Sequence, residues 1–368
     1  MTSTVIQQRL LNHHLSAPPL PGPAAVVGQL GAVQAQDFAG ALWAVAQRCG
    51  IPSQSEVAAA VSAGALLRTH VLRPTWHLVA PRDLRWMLAL TGPRVIAGSA
   101  GRRRALELNA GVFGRCRQAL VEALTGGVAM TRPETAAVLE AAGIRLDGQR
   151  LVHILMDAEL AGVICSGPMM GKKHTHVLLD EWVAPAPMLQ PEEAAAELAT
   201  RYFSSHGPAQ LSDFTWWSSL TAGQARKGIE GAGDRLCAIE QDGRKMWTAP
   251  GVSSRRISTP MVRLLPNYDE YVVAYRDRSD FYDKALDPQA LRGGVMANIV
   301  AVDGRAVGHW SQSARARGVG LSVVPWSDWS ARTWDALDVE RQKLSQHLGV
   351  PVVMEPGRAS QAYPGRRS

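Results

Sequence analysis

Two glutamines one residue apart, Gln34 and Gln36, stand in the run Gly31-Ala-Val-Gln-Ala-Gln-Asp37. A side-chain amide carries both a carbonyl acceptor and an NH₂ donor, so a pair can hold and orient a water without bearing charge. If the run is helical, the two side chains point in different directions; if the chain leaves helical geometry there, both line one pocket. From the residues alone, a polar helix end with Asp37 capping the next helix is the simpler reading. The usual catalytic signatures are missing: there is no H-E-x-x-H, P-loop, G-x-S-x-G, or G-x-G-x-x-G after a strand. His13-His14 and His174/His176 have no third ligand at metal spacing, so neither a metal nor a nucleotide cofactor is expected. Cys49, Cys116, Cys165 and Cys237 lie far apart with no C-x-x-C pair, which excludes a disulfide framework and a zinc ribbon.

Charge points to a polyanion without identifying one. The chain of 368 residues has 39 basic against 32 acidic side chains, a net charge of +7. The positive residues fall in clusters at apparent loops or element ends: Arg102-Arg103-Arg104, Lys172-Lys173, Arg255-Arg256 and the pair Arg315 and Arg317. No apolar run approaches the ~18 residues needed to span a bilayer. The polar start MTSTVIQQRLLNHH has no signal-peptide core, so a cytoplasmic protein away from the membrane is expected.

The elements that must position these residues recur in order. Pro23 opens a helix with Val26, Val27, Leu30 and Val33 at helical spacing; a second covers Phe38 to Arg48 and stops at Gly50. Ser53 and Glu56 form a capping box for a third, Ser55–Leu66. Arg68–Leu72 and Thr75–Ala80 then read as strands turning at Arg73-Pro74. Three helices and a hairpin is the winged-helix order. A second round has helices near 113–125, 132–142 and 148–160 and a hairpin at 162–180, turning around Pro168–Lys173. A third has helices at 191–204, 210–219 and 221–231, with strands Leu236–Gln241 and Lys245–Ala249 closed by Asp242-Gly243. From about 260 the character changes. Val262–Leu265 and Tyr271–Tyr275 look like strands, and Val295–Val302 with Ala306–Trp310 forms a hairpin over Asp303-Gly304. A helix from Asp328 to His347 puts Trp334, Leu337 and Leu344 on one side. The expected fold is α+β: tandem winged-helix units over 1–92, 93–188 and 189–258, and a small β-rich element with a closing helix over 259–356. A disordered tail occupies 357–368.

Five motifs in sequence carry a resemblance. These are Gln34-Ala35-Gln36-Asp37; Arg68-Thr69-x-x-Leu72-Arg73-Pro74-Thr75-Trp76-His77-Leu78-Val79; Leu179-Asp180-Glu181-Trp182; Leu265-Pro266-Asn267-Tyr268-Asp269-x-Tyr271; and Val302-Asp303-Gly304-Arg305-Ala306-Val307-Gly308. Together, over roughly residues 5–350, the chain resembles the AlkZ/YcaQ-type winged-helix DNA glycosylases, which excise alkylated bases and unhook interstrand crosslinks. Gln34 and Gln36 match the Gln-x-Gln signature of the AlkZ branch, which is similar to self-resistance enzymes of bacteria making DNA-alkylating antibiotics. The chain departs from the family pattern at Phe38, Pro74 and Trp76, which bears on the substrate range.

The resemblance implies a monofunctional glycosylase acting on bulky N7-alkylguanine, with Gln34 and Gln36 as catalytic residues. Alkylation at guanine N7 makes the base cationic, so the leaving group needs no proton; two neutral amides then suffice to place a water at C1′. No lysine adjoins the motif, so no lyase step is expected. The partner is double-stranded DNA with alkylated purines, its backbone held by Lys172, Lys173, Arg255, Arg256, Arg305, Arg315 and Arg317. A tight Asp303-Gly304 hairpin with Arg305 beside its tip suits a minor-groove probe, but equally a strand pair completing a sheet. Asp269 is a weaker site candidate, balanced by a turn-capping role. No heptad pattern calls for a dimer, so a monomer is expected. Two other classes stay open: a non-catalytic winged-helix regulator and a protein that sequesters the alkylating agent.

Overall fold

The computed structural model describes residues 4–251, 260–283 and 297–355. The first unit follows a lone N-terminal helix, α1 (Thr4–Asn12), and begins with α2 (Pro23–Leu30), whose Val26, Val27 and Leu30 are buried. Gly31, at φ 78°, stops α2, and the next residues extend into a short strand, β1 (Val33–Gln34). The Asp37 side chain accepts from the Gly40 amide at 3.2 Å and opens α3 (Phe38–Ala46), as expected. The Ser53/Glu56 capping box opens α4 (Gln54–Ser62). The hairpin β2 (Leu67–Val71) and β3 (Arg73–Val79) turns at Leu72, which adopts φ 62°, so Arg73 and Pro74 sit in the strand and not in the turn. β1 adds to the far side of β3, giving the order β1-β3-β2.

The 18-residue α5 (Pro81–Gly98) was not anticipated: its apolar residues run together over Trp86–Leu90, and Pro93 stands inside it. The division expected at 92–93 falls inside this helix. Next come α6 (Ala100–Ala105), α7 (Ala110–Leu124), the two-residue β4 (Met130–Thr131), α8 (Arg132–Ala141) and α9 (Arg150–Leu160). The hairpin β5 (Ile164–Ser166) and β6 (Thr175–Leu178) again gains a third strand, in the order β4-β6-β5. After α10 (Leu179–Trp182), the third unit comprises α11 (Pro191–His206), α12 (Leu211–Ser218), α13 (Ala222–Ala232), β7 (Cys237–Gln241) and β8 (Arg244–Thr248). Asp242 and Gly243 both have positive φ, the backbone of the predicted Asp-Gly turn.

The C-terminal part is a five-stranded sheet in the order β13-β12-β11-β10-β9, with β9 (Val262–Leu265), β10 (Ile299–Val302), β11 (Arg305–Arg315), β12 (Gly318–Pro325) and β13 (Val352–Glu355). β12 and β13 were not anticipated. The strand expected at Tyr271–Tyr275 is instead a short helix, α14 (Glu270–Val273), because the Asp269 carboxylate accepts from the Tyr271 amide at 2.9 Å and caps it. The closing helix α15 (Ala331–Leu348) buries Leu337 and Leu344, whereas Trp334 is exposed and leans on Trp329 at 4.9 Å. The units are not self-contained. One apolar core joins Leu67 and Leu84 with Met156, Tyr202 and Trp217, and a second joins Leu42 and Trp43 with Leu264, Trp310 and Leu337.

Candidate active site

The glutamine run is extended, not helical. Ala35 N–H donates to Trp76 O at 2.7 Å, continuing the β1–β3 ladder in which Gln34 faces His77. β1 is an edge strand, so the Gln34 N–H has no strand to meet; it donates instead to Glu270 Oε1 at 2.8 Å. Gln34 is buried, and its Oε1 accepts from Arg73 Nη2 at 3.0 Å. A guanidinium has donors only, so it fixes which end of the Gln34 amide faces it: the oxygen is engaged and the NH₂ points elsewhere. Gln36, two residues on, is exposed. Its side chain makes no hydrogen bond among the described residues.

Behind Gln34 lies a buried charged cluster. Glu270 Oε2 accepts from Trp217 Nε1 at 2.9 Å, and His206 Nε2 stands 3.6 Å away. Burial would raise the Glu270 carboxyl, but His206, Arg73 and His77 together hold it down at about 2, so it is ionised. Arg73 Nη2 also lies 3.3 Å from His77 Nε2. His77 Nδ1 is 2.9 Å from Thr75 O, an acceptor, so the ring proton sits on Nδ1 and Nε2 accepts from Arg73. Burial, and then Arg73, push His77 down to about 3, which agrees with a neutral ring.

Sequence reasoning singled out the glutamines and missed their supports. Arg73 and His77 lie inside one of the five motifs; four apart on a strand, they share a face, and that period-two spacing was the available signal. Glu270 was the unspecified position of the Pro-Asn-Tyr-Asp run, and its neighbour was chosen instead. Asp269 is wholly structural. It caps α14 and pairs with Arg48 at 2.7 and 3.0 Å, with both side chains buried. The capping alternative is therefore the correct one. Trp217 and His206 come from the third unit and carried no local signal.

The basic residues separate into different settings. Lys172 and Lys173 are exposed in the β5–β6 turn. The adjoining His174 packs edge-on against Phe38 at 4.5 Å, directly after the glutamine run, so this hairpin sits close to the site. Arg68 ties the same region together: its Nε donates to Ala35 O at 3.0 Å, and its guanidinium lies 4.5 Å from the Trp76 ring centre. Arg305 is exposed, but the turn beside it is not a free tip. Gly304 packs against Ile6, Leu10 and Tyr271, and Tyr271 Oη donates to Gly304 O at 3.1 Å. The sheet-completing alternative for this hairpin holds, and a probe standing out from the surface does not. Arg315 is engaged by Glu355, with Nε 2.7 Å from Oε1, whereas Arg317 is exposed at the β11–β12 turn. In the 102–104 cluster, Arg103 is buried against Asp157 at 2.9 Å, and Arg102 donates to Gln149 at 2.8 Å. Arg255 and Arg256 lie outside the described residues.

Among the described residues, no group of three or more His, Cys, Asp or Glu is arranged to hold a metal, and no helix is long and apolar enough to cross a membrane. A sequence model of the family described as "DNA glycosylase AlkZ-like" matches residues 27–347. The chain is 27% identical to the interstrand DNA cross-link repair glycosylase of Streptomyces sahachiroi over 368 residues, covering 94% of this chain and 96% of that protein. The solved structure of Streptomyces sahachiroi DNA glycosylase AlkZ is similar to it with a TM-score of 0.78 at 24% identity. That match covers 97% of this chain and 100% of that one, a likeness of fold.

Proposed function

The chain belongs to the AlkZ-like DNA glycosylase family, and on that premise we propose that it is a monofunctional hydrolase of bulky N7-alkylguanine adducts in duplex DNA. On the same reading it unhooks interstrand crosslinks and protects a producer of a DNA-alkylating natural product. The three helix-and-hairpin units act as tandem winged helices that grip the backbone of one duplex, the protein working as a monomer.

One observation carries this reading: an amide pair at the end of an edge strand, with Gln34 on β1 locked by Arg73 and Glu270 and Gln36 just beyond it, open to solvent. The positive charge of the alkylated base is neutralised as the base departs, so the enzyme has only to place a water at C1′ and tolerate positive charge on the sugar. Gln36, with both ends of its amide free, accepts a hydrogen bond from that water. Gln34, its oxygen occupied, serves as an NH₂ donor that orients the water or a flanking phosphate. Ionised Glu270, its charge balanced by Arg73, holds the strand that carries Gln34 and so keeps the amide in place. We assign no Schiff-base step, since no lysine is among these site residues. Lys172, Lys173, Arg305 and Arg317, all exposed, are the backbone contacts assigned here; Arg255 and Arg256 keep that role from sequence alone. Arg315 would have to leave Glu355 to join them.

The test is excision from a duplex carrying N7-methylguanine, read as abasic sites by alkaline strand cleavage. Gln34→Ala and Gln36→Ala should each slow excision by roughly 10²-fold or more while duplex binding stays within a few-fold, because phosphate contacts dominate affinity. Both variants excising at the wild-type rate would remove the glutamines from the chemistry. Wild-type protein that binds duplex and excises nothing would favour the non-catalytic DNA-binding class.

A further inference from the structure

Beside Gln36 the surface opens into a cleft of about 760 Å³, between the β2–β3 hairpin, the C-terminal half of α5, and α9. Its lining is mainly apolar, with Trp76, Pro74, Val95, Val152 and Met156 on it. This is the size of cavity that encloses a drug-sized molecule, and contact with a sugar and a water does not require it. Trp76 is held in place from two sides. The His70 ring lies 4.6 Å from it and Arg68 lies over it, while His70 is itself fixed by Glu159, 2.5 Å from Nδ1 and 2.8 Å from the backbone amide. Arg94, also on the cleft, is exposed with no ion pair among the described residues.

The geometry points to this cleft as the binding site for the substituent on N7 of the alkylated guanine, specifically an aromatic group. The inference rests on the glycosylase reading above and names the part of the substrate that reading leaves open. Gln36 lies on the cleft, so whatever projects from a base whose glycosidic bond is at the glutamines enters it. Trp76 lines the cleft as a preorganised aromatic contact, and Met156 and Val152 supply adaptable apolar contact. A small alkyl group would leave the cleft filled by water.

The experiment compares kcat/KM for duplexes carrying N7-benzylguanine and N7-methylguanine, in the wild type, Trp76→Ala and Val152→Trp. Wild type should favour the benzyl adduct. Trp76→Ala should reduce the benzyl-to-methyl ratio about tenfold, the worth of one aromatic contact. Val152→Trp, made on an exposed position of α9, should reduce it similarly by filling the cleft, and guards against a folding defect in the first variant. Excision of both adducts with the same ratio in all three proteins would overturn the cleft assignment and leave the glycosylase reading standing. Excision of neither adduct by wild type would overturn both.

Discussion

Changing Gln34 to glutamate replaces one amide group by an oxygen and almost nothing else, yet it distinguishes two roles for this residue. Gln34 Oε1 receives Arg73 Nη2 at 3.0 Å, so the amide end left for substrate is the NH₂ donor. In Gln34→Glu the bond to Arg73 becomes charge-assisted, and the donor becomes an acceptor. A hydrogen bond to a charged or developing-charge group contributes about 1.5–3 kcal/mol, so its loss should slow excision by roughly ten- to a hundredfold. The new carboxylate also lies near Glu270, whose Oε1 holds the backbone of the same residue at 2.8 Å. Repulsion there offsets the gain at Arg73, and the net change in stability should stay within about 2 kcal/mol. The assay is single-turnover release of N7-methylguanine, with urea denaturation to confirm the fold. Gln36→Glu is the control: its amide is assigned as the acceptor, so that variant should remain within about tenfold of wild type. If Gln34→Glu excises as fast as wild type or faster, Gln34 activates water through its oxygen, and the assignment of donor and acceptor is inverted.

Lys172→Ala with Lys173→Ala should weaken binding to damaged and undamaged duplex alike and reduce the slope of log affinity against log salt by up to about 2, near one for each phosphate no longer neutralised; fluorescence anisotropy from low to moderate salt measures it, and an unchanged slope would place the duplex away from the second hairpin. Two buried carboxylates predict the acid limb of stability. Burial alone would raise Glu159 and Glu270, but His70 and His176 in one case, and His206, Arg73 and His77 in the other, bring each from 4.5 to about 2. Because the folded value is the depressed one, the stabilisation is complete above about pH 4.5 and is lost as pH falls towards 2, on the order of 3 kcal/mol for each group. Urea midpoints measured across that window should fall, and Glu159→Gln should make the fall shallower; an identical profile in the variant would exclude this carboxylate from the acid transition.

Local signals were legible where a single residue decides the backbone. Asp37 and the Ser53/Glu56 pair cap their helices, and Asp242-Gly243 and Asp303-Gly304 turn their hairpins, because each of these acts within about four residues of chain. The failures have equally specific causes. Tyr271–Tyr275 has strand-like composition, but the carboxylate one residue before α14 accepts from the Tyr271 amide, and the cap outweighed propensity. The outer half of β11 and its partner β12 were not anticipated because that half of β11 is exposed and carries no alternation of apolar and polar residues. The extended form of the glutamine run could not be settled locally. It depends on Gly31 stopping α2, on Trp76 accepting from Ala35, and on Glu270, 236 residues away, accepting from Gln34.

That last contact explains how neutral groups can do directional work in this site. An unsupported glutamine can flip its amide at little cost, since its oxygen and nitrogen ends have nearly the same shape. Arg73 removes the choice, because every polar atom it presents is a donor. Arg73 in turn is a half-buried cation that needs a counter-charge, and Glu270 supplies it, along with an acceptor for Gln34 N–H and for Trp217. The negative charge is thus placed behind the amides and is balanced by protein cations before any substrate arrives. On the function proposed above, a glycosidic bond already weakened by a cationic base needs a fixed donor more than it needs a strong base. The chemistry proposed for the glutamines would thus depend on the orientation that Arg73 and Glu270 give Gln34.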